Sequence, residues 1–224
     1  RQLCGPGIWV GARVGANNIS PFSIENNKKM NIGILRETKT PEDTRVPLTP
    51  KQCRQAEADF PGTKIFVQPS SIRCFSDAAY EKEHIPLLEN LDHCDVLLGV
   101  KEVDPRYLLS EKTYFIFSHT IKKQNHNLLL LKTVIEKRVR LIDYEMLTDS
   151  QGIRMIGFGR WAGLIGAYHG IRAACYKLEQ KPLPMPQEFH ALEAMMKVAS
   201  GYPLPALRIV LTGDGRVAGG AEEM

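Results

Sequence analysis

The sequence predicts an α/β fold, a Rossmann-like parallel sheet with helices laid against it. Two observations carry this prediction. Short β-favouring runs that are apolar on consecutive residues, as strands buried on both faces are, recur along the chain; between them lie amphipathic stretches of helical period. Strand and helix in alternation call for parallel pairing through right-handed crossovers.

In chain order, strands are expected at Ile32 to Leu35, Lys64 to Val67, Asp95 to Val100, Tyr114 to Phe117 and Val139 to Ile142. Helices are expected over Pro50 to Asp59, opened by Thr49, and over Asp77 to His84, opened by Ser76, because a hydroxyl before the first turn accepts an otherwise unpaired backbone N–H. A third helix is expected over Asn125 to Lys137, with Leu128, Leu131 and Ile135 as its apolar stripe. After the Gln151-Gly152 turn a long helix should run from about Arg160 to Leu178. It carries Gly163, Gly166 and Gly170 among many alanines, and glycine inside a helix costs up to about 1 kcal/mol, so close packing, as between two domains, is expected to justify them. The prolines from Pro182 to Pro186 break the chain before another helix over Gln187 to Ser200.

At the end of the chain Leu207 to Leu211 reads as a strand leading into Gly213-Asp214-Gly215-Arg216-Val217-Ala218-Gly219-Gly220. That is the strand, glycine turn and helix of a dinucleotide site, where backbone N–H groups approach a pyrophosphate. A plain surface turn is the alternative reading of the glycines. The expected domain plan is a leader over residues 1–29, a substrate domain over 30–205 with interdomain helices from about 160, and the opening of a nucleotide domain over 206–224, cut short at Met224. The leader starts without methionine and has no apolar stretch of secretory type; its composition favours a disordered leader or a non-native extension over a transit peptide, and Met30 reads as the start of the fold.

Composition excludes several functions. The net charge of +4 is dispersed, with Lys122-Lys123 the notable basic doublet, which argues against a nucleic-acid surface. No apolar run approaches the roughly 20 residues that span a bilayer, so no membrane partner is expected. Cys4, Cys53, Cys74, Cys94 and Cys175 form no CxxC pair, and His84, His93, His126, His169 and His190 have no metal spacing, so idle thiols in a reducing, cytoplasmic setting and no metal are expected. A mitochondrial setting would follow if the leader were a transit peptide. Nothing distinguishes a monomer from a homo-oligomer.

Candidate chemistry collects at strand ends, where open α/β sheets hold their ligands. Lys101 and Glu102 follow the third run and His119 the fourth, and lysine with histidine suits proton transfer. A hydrogen-bonded strand-end histidine is the alternative. Arg45, between the first strand and first helix, has the fork to hold a carboxylate, or is an ordinary surface arginine. Glu145 could bind an ammonium group or tune Lys101, or simply open a helix, and Arg154 follows the next turn.

Taken in order, Leu35-Arg36-Glu37-Thr38-Lys39, Arg45-Val46-Pro47-Leu48-Thr49-Pro50, Gly99-Val100-Lys101-Glu102, Phe117-Ser118-His119-Thr120-Ile121-Lys122, Leu141-Ile142-Asp143-Tyr144-Glu145 and Phe158-Gly159-Arg160-Trp161-Ala162-Gly163 resemble the lysine-forming saccharopine dehydrogenases and lysine-ketoglutarate reductases. Alanine dehydrogenases and the transhydrogenase amino-terminal domain are similar in outline. The resemblance implies an oxidoreductase with NAD or NADP as cofactor, and an amino acid and a 2-oxo acid as substrates. Lys101 and His119 would be its acid-base pair and Arg45 a substrate-carboxylate ligand, with Lys39, Lys122, Glu145 and Arg154 in the same cleft. Gly213, Gly215, Arg216, Val217 and Gly220 would hold the cofactor, although Asp214 puts a carboxylate in that loop and Ala218 replaces the third glycine of the strict pattern. Two alternatives stand beside lysine plus 2-oxoglutarate: alanine dehydrogenase chemistry on pyruvate and ammonia, and a non-catalytic substrate-binding remnant. Residues 1–224 alone are expected to show no dehydrogenase activity.

Overall fold

The computed structural model of the chain describes residues 29–189, 191–204 and 206–224, so the expected leader lies outside the described residues except for Lys29. The described chain divides into two units, one ending at Ile156 and the other running from Gly157 to Met224.

The first unit is a five-stranded parallel sheet in the order β2-β1-β3-β4-β5. Its strands are β1 (Met30–Ile34), β2 (Thr63–Val67), β3 (Val96–Leu98), β4 (Thr113–Ile116) and β5 (Arg140–Asp143), so all five apolar runs pair, each within a few residues of its expected bounds. Helix α1 (Pro50–Asp59) is closed at its start by a reciprocal cap: Gln52 N donates to Thr49 Oγ1 at 3.3 Å and Thr49 N to Gln52 Oε1 at 2.9 Å. In α2 (Asp77–Lys82) the Ser76 side chain accepts from Ala79 N.

Alternation along the strands sorts the core onto two faces. Ile34, Ile65 and Val67 point to one face and pack with Cys53 of α1 and Tyr80 of α2. Leu97 and Tyr114 point to the other and pack with Leu130 and Val134 of α3 (Leu128–Glu136). The stripe expected on this last helix is therefore corrected. Leu128, Leu131 and Ile135 are 51%, 40% and 69% exposed, while Leu130 and Val134 are buried. Four consecutive leucines make the helix apolar on several sides, and contact with the sheet selects the buried one. Asn125–Asn127, expected to be its first turn, is a separate 3-10 turn.

In the second unit α4 (Gly159–Lys177) and α5 (Leu192–Ser200) pack around Leu164, Tyr168, Leu183 and Met195, and α6 (Arg216–Glu222) lies against α4. The start of the helix expected from Gln187 is instead a 3-10 turn, Pro186–Glu188. A Cβ on Gly163 would lie 1.8 Å from the carbonyl oxygen of Val217, and one on Gly220 would lie 1.9 Å from that of Arg160. The glycines at this crossing thus let α4 and α6 touch backbone to backbone. Gly166 and Gly170 face open space, so close packing explains only part of the small-residue content. Leu207 to Leu211 forms no strand, and Ile209 and Val210 are 70% and 78% exposed. The run has β propensity but no neighbouring strand to pair with among the described residues, and propensity alone does not make a strand.

Cys53, Cys94 and Cys175 are buried and unpaired, and burial pushes the Cys53 thiol up to about 12. No helix among the described residues is long and apolar enough to cross a membrane.

Candidate active site

The order of the sheet reverses between β1 and β3, and the segments leaving the carboxyl ends of β1, β3, β4 and β5 bring the candidate residues together in the first unit. The β1 tail supplies Glu37, Lys39, Asp43 and Arg45; the β3 tail Lys101 and Glu102; the β4 tail His119 and Lys122; the β5 end Asp143 and Glu145.

Glu102 is the centre of one group. Its Oε1 lies 2.9 Å from His119 Nδ1 and its Oε2 accepts from Lys39 Nζ at 2.6 Å. Burial works to raise the pKa of this carboxyl, but the bonds from Lys39 and His119 outweigh burial and hold it below the usual range. An ionised Glu102 only accepts, so it selects the imidazole tautomer with hydrogen on Nδ1 and leaves Nε2 with a lone pair. The His119 ring is stacked on Phe117, with centroids 6.4 Å apart.

The main chain of His119 is left-handed, with φ of 52°. That conformation is uncommon for a residue other than glycine and needs support from its surroundings. Asp143, on the neighbouring strand, supplies it: Oδ2 accepts from His119 N at 3.0 Å and from Ser118 Oγ at 2.6 Å. Its other oxygen accepts from Glu145 N at 2.8 Å, so one carboxylate fixes two site residues.

Glu145 joins a second group. Its carboxylate is 2.9 Å from Arg154 and 3.4 Å from Lys122, and so is shared between those two cations rather than directed at Lys101. A bridge between Thr148 and Arg154 folds the hairpin that brings Arg154 back.

Arg45 is held by its own loop. Nε donates to Asp43 Oδ1 at 2.8 Å and a terminal nitrogen donates to Oδ2, a two-point pairing. Asp43 is buried; burial works to raise its pKa, and the Arg45 guanidinium keeps the carboxyl below its usual range. Lys101 is partly buried and acts on the same carboxylate through its charge.

The expected residues Lys39, Arg45, Lys101, His119, Lys122, Glu145 and Arg154 therefore all lie on the strand-end side of one unit. Direct contact joins Lys39 to His119 through Glu102, and Lys122 to Arg154 through Glu145; it does not join Lys101 to His119. Sequence reasoning missed the carboxylates that organise these cations: Glu37, Asp43, Glu102 as a bridge, and Asp143. For Glu37, Glu102 and Asp143 the signal was position at or just beyond a strand end, whereas Asp43 stands nine residues past β1 and gave no such signal.

The glycine loop belongs to the other unit. Gly213 has a φ of 93°, and a Cβ on Gly213 or Gly215 would meet nothing within 4 Å, which fits a backbone open to a phosphate. Arg216 lies against Gly157 and Gly159, and Gly220 is turned to α4, so Gly220 serves helix packing rather than a cradle.

Known proteins are similar to this chain in sequence and fold. The rat mitochondrial alpha-aminoadipic semialdehyde synthase is 33% identical over 211 residues, covering 86% of this chain and 23% of its own length. The saccharopine dehydrogenase (NAD(+), L-lysine-forming) of Emericella nidulans is 30% identical over 158 residues, covering 66% of this chain and 42% of its own. This chain spans only 15% to 25% of the length of the semialdehyde synthases it matches, and 42% to 55% of the saccharopine dehydrogenases. A solved L-alanine dehydrogenase shares the fold, with a TM-score of 0.51 at 19% identity over 67% of this chain and 41% of that one. These relatives are enzymes of the saccharopine and alanine dehydrogenase kind, and the profile described as Alanine dehydrogenase/PNT, N-terminal domain matches residues 33–165, more than half of the chain. The chain belongs to the alanine dehydrogenase/PNT N-terminal domain family.

Proposed function

We propose that this chain is the substrate-binding part of an NAD(P)-dependent saccharopine dehydrogenase, which joins lysine reversibly to 2-oxoglutarate. The observation that carries the reading is the Lys39–Glu102–His119 chain at the strand ends. An imidazole oriented through Nδ1 by an ionised carboxylate is set to take and return a proton at Nε2.

In this reading His119 Nε2 and Lys101 Nζ move the protons of imine formation and hydrolysis at the substrate nitrogen and oxygen. Arg45, with Lys39, Lys122 and Arg154, offsets the charge of the dicarboxylate, and Glu145 holds Lys122 and Arg154 in place. Gly213, Gly215, Arg216 and Val217 would hold the nicotinamide cofactor, whose contribution when bound is hydride exchange. The names of the saccharopine dehydrogenase and semialdehyde synthase relatives favour lysine metabolism over pyruvate and ammonia. The rat relative's name favours a mitochondrial setting.

The test is an assay of the full-length protein with lysine plus 2-oxoglutarate, and separately with pyruvate plus ammonia. NAD(P)H oxidation confined to the first pair is expected; oxidation confined to the second would sink the proposal.

A further inference from the structure

Glu37 is a carboxylate the proton-transfer scheme does not use. It stands three residues beyond β1, yet its Oε1 accepts from Val100 N at 2.6 Å and its Oε2 from Lys101 N at 3.0 Å. These are consecutive backbone amides of the segment leaving β3, more than sixty residues away in sequence. Gly99, just before them, is bonded differently: its N–H donates to Phe115 O at 3.0 Å, continuing the sheet ladder. The ladder runs on to the Val100 carbonyl, which accepts from Phe117 N at 3.1 Å, but the N–H groups of Val100 and Lys101 are taken by a side chain instead of the neighbouring strand.

We propose that Glu37 is the positioning residue of Lys101, clamping the lysine's main chain through two amide bonds and releasing it when the carboxylate is protonated. Only the ionised group offers two equivalent acceptors to the two N–H donors, whereas a protonated one carries a hydrogen that one of them must face. Burial is the main cause that raises the Glu37 pKa to about 7, against the lowering effect of the two amides, so the release falls near neutrality. The charged and titratable groups around it are Asp43 and Arg45 from its own segment, Lys101 from the β3 tail and Tyr144 from the β5 end. What the clamp does for turnover rests on the proton-transfer role proposed above for Lys101.

Amide hydrogen exchange on the intact protein tests the clamp without any assay of turnover. At about pH 8 Val100 and Lys101 should be protected, and as the pH falls through about 7 they should lose protection relative to Gly99, whose bond involves no carboxylate. Glu37→Gln, with one acceptor for two donors, should speed exchange at both amides about 10- to 100-fold at that pH, the factor for losing a bond to a charged acceptor, and leave Gly99 unchanged. Protection at Val100 and Lys101 that tracks Gly99 across the whole range overturns the clamp, whether or not the variant folds. In the full-length enzyme a limb of turnover should share the midpoint of the amide titration and vanish in Glu37→Gln. An amide titration without that limb, where Lys101→Met abolishes turnover, overturns the positioning role. If instead Lys101→Met leaves turnover intact, the clamp stands and the proton-transfer reading falls.

Discussion

His119 Nδ1 and Glu102 Oε1 lie 2.9 Å apart, and the other oxygen of the same carboxylate is 2.6 Å from Lys39 Nζ. Removing the charge while keeping the shape should therefore disturb the histidine before it disturbs the fold. Glu102→Gln in the full-length enzyme should lower kcat by about 10- to 100-fold, as loss of a partner that orients a functional histidine does elsewhere, and shift the pH profile. Unchanged kcat and profile would show that the contact is incidental.

Lys101→Met and His119→Gln should each lower kcat by at least about 10²-fold, the usual worth of general acid-base catalysis, while folding and cofactor binding persist. Each should remove one limb of a bell-shaped pH profile. A variant with normal turnover and both limbs would move the catalytic assignment to another group.

Arg45→Lys keeps the charge but loses the two-point contact. Because Asp43 already occupies one edge of the guanidinium, the substitution should loosen the loop as well as the carboxylate site. The expected outcome is a keto-acid KM raised about 10- to 100-fold, since charge-assisted bonds contribute about 1.5–3 kcal/mol. A KM that does not move returns Arg45 to a structural role within its loop.

Glu37 and Glu102 should act on stability with opposite signs. The folded-state pKa of Glu37 is raised to about 7 from 4.5, so its contribution is full below about 4.5 and is lost as pH rises through about 7. That loss is on the order of 3 kcal/mol at most, since Glu37 is only partly buried. The pKa of Glu102 is lowered, so its contribution is present above 4.5 and is lost as the pH falls below that value. Unfolding free energies measured from about pH 4 to about pH 8 should show the Glu37 decline, and Glu37→Gln should flatten it. A decline that persists in the variant belongs to another group.

Gly163→Ala should strongly destabilise the α4–α6 unit, because its Cβ would fall 1.8 Å from a backbone oxygen that cannot rotate away. Gly166→Ala, on the same helix but facing open space, should instead stabilise by up to about 1 kcal/mol. Thermal melts of the two variants moving in the same direction would contradict this packing.

The sequence by itself determined the five strands to within a few residues and the starts of α1 and α2. Continuous apolar runs mark the five strands, and Thr49 and Ser76 mark the starts of α1 and α2, because strand burial and helix capping are read by neighbours a few residues away. It also placed Lys101, His119 and Glu145 at strand ends, since that follows once the strands are known. What only the tertiary structure decided depends on partners distant in sequence. The β2-β1-β3-β4-β5 order sets Glu37 beside the Lys101 amide and Asp143 beside His119, and no local pattern encodes either pairing. Contact with the sheet chose Leu130 and Val134 over Leu128, Leu131 and Ile135 as the buried side of α3. Leu207 to Leu211 has the composition of a strand without forming one, because a strand is completed only by a neighbour that receives its hydrogen bonds.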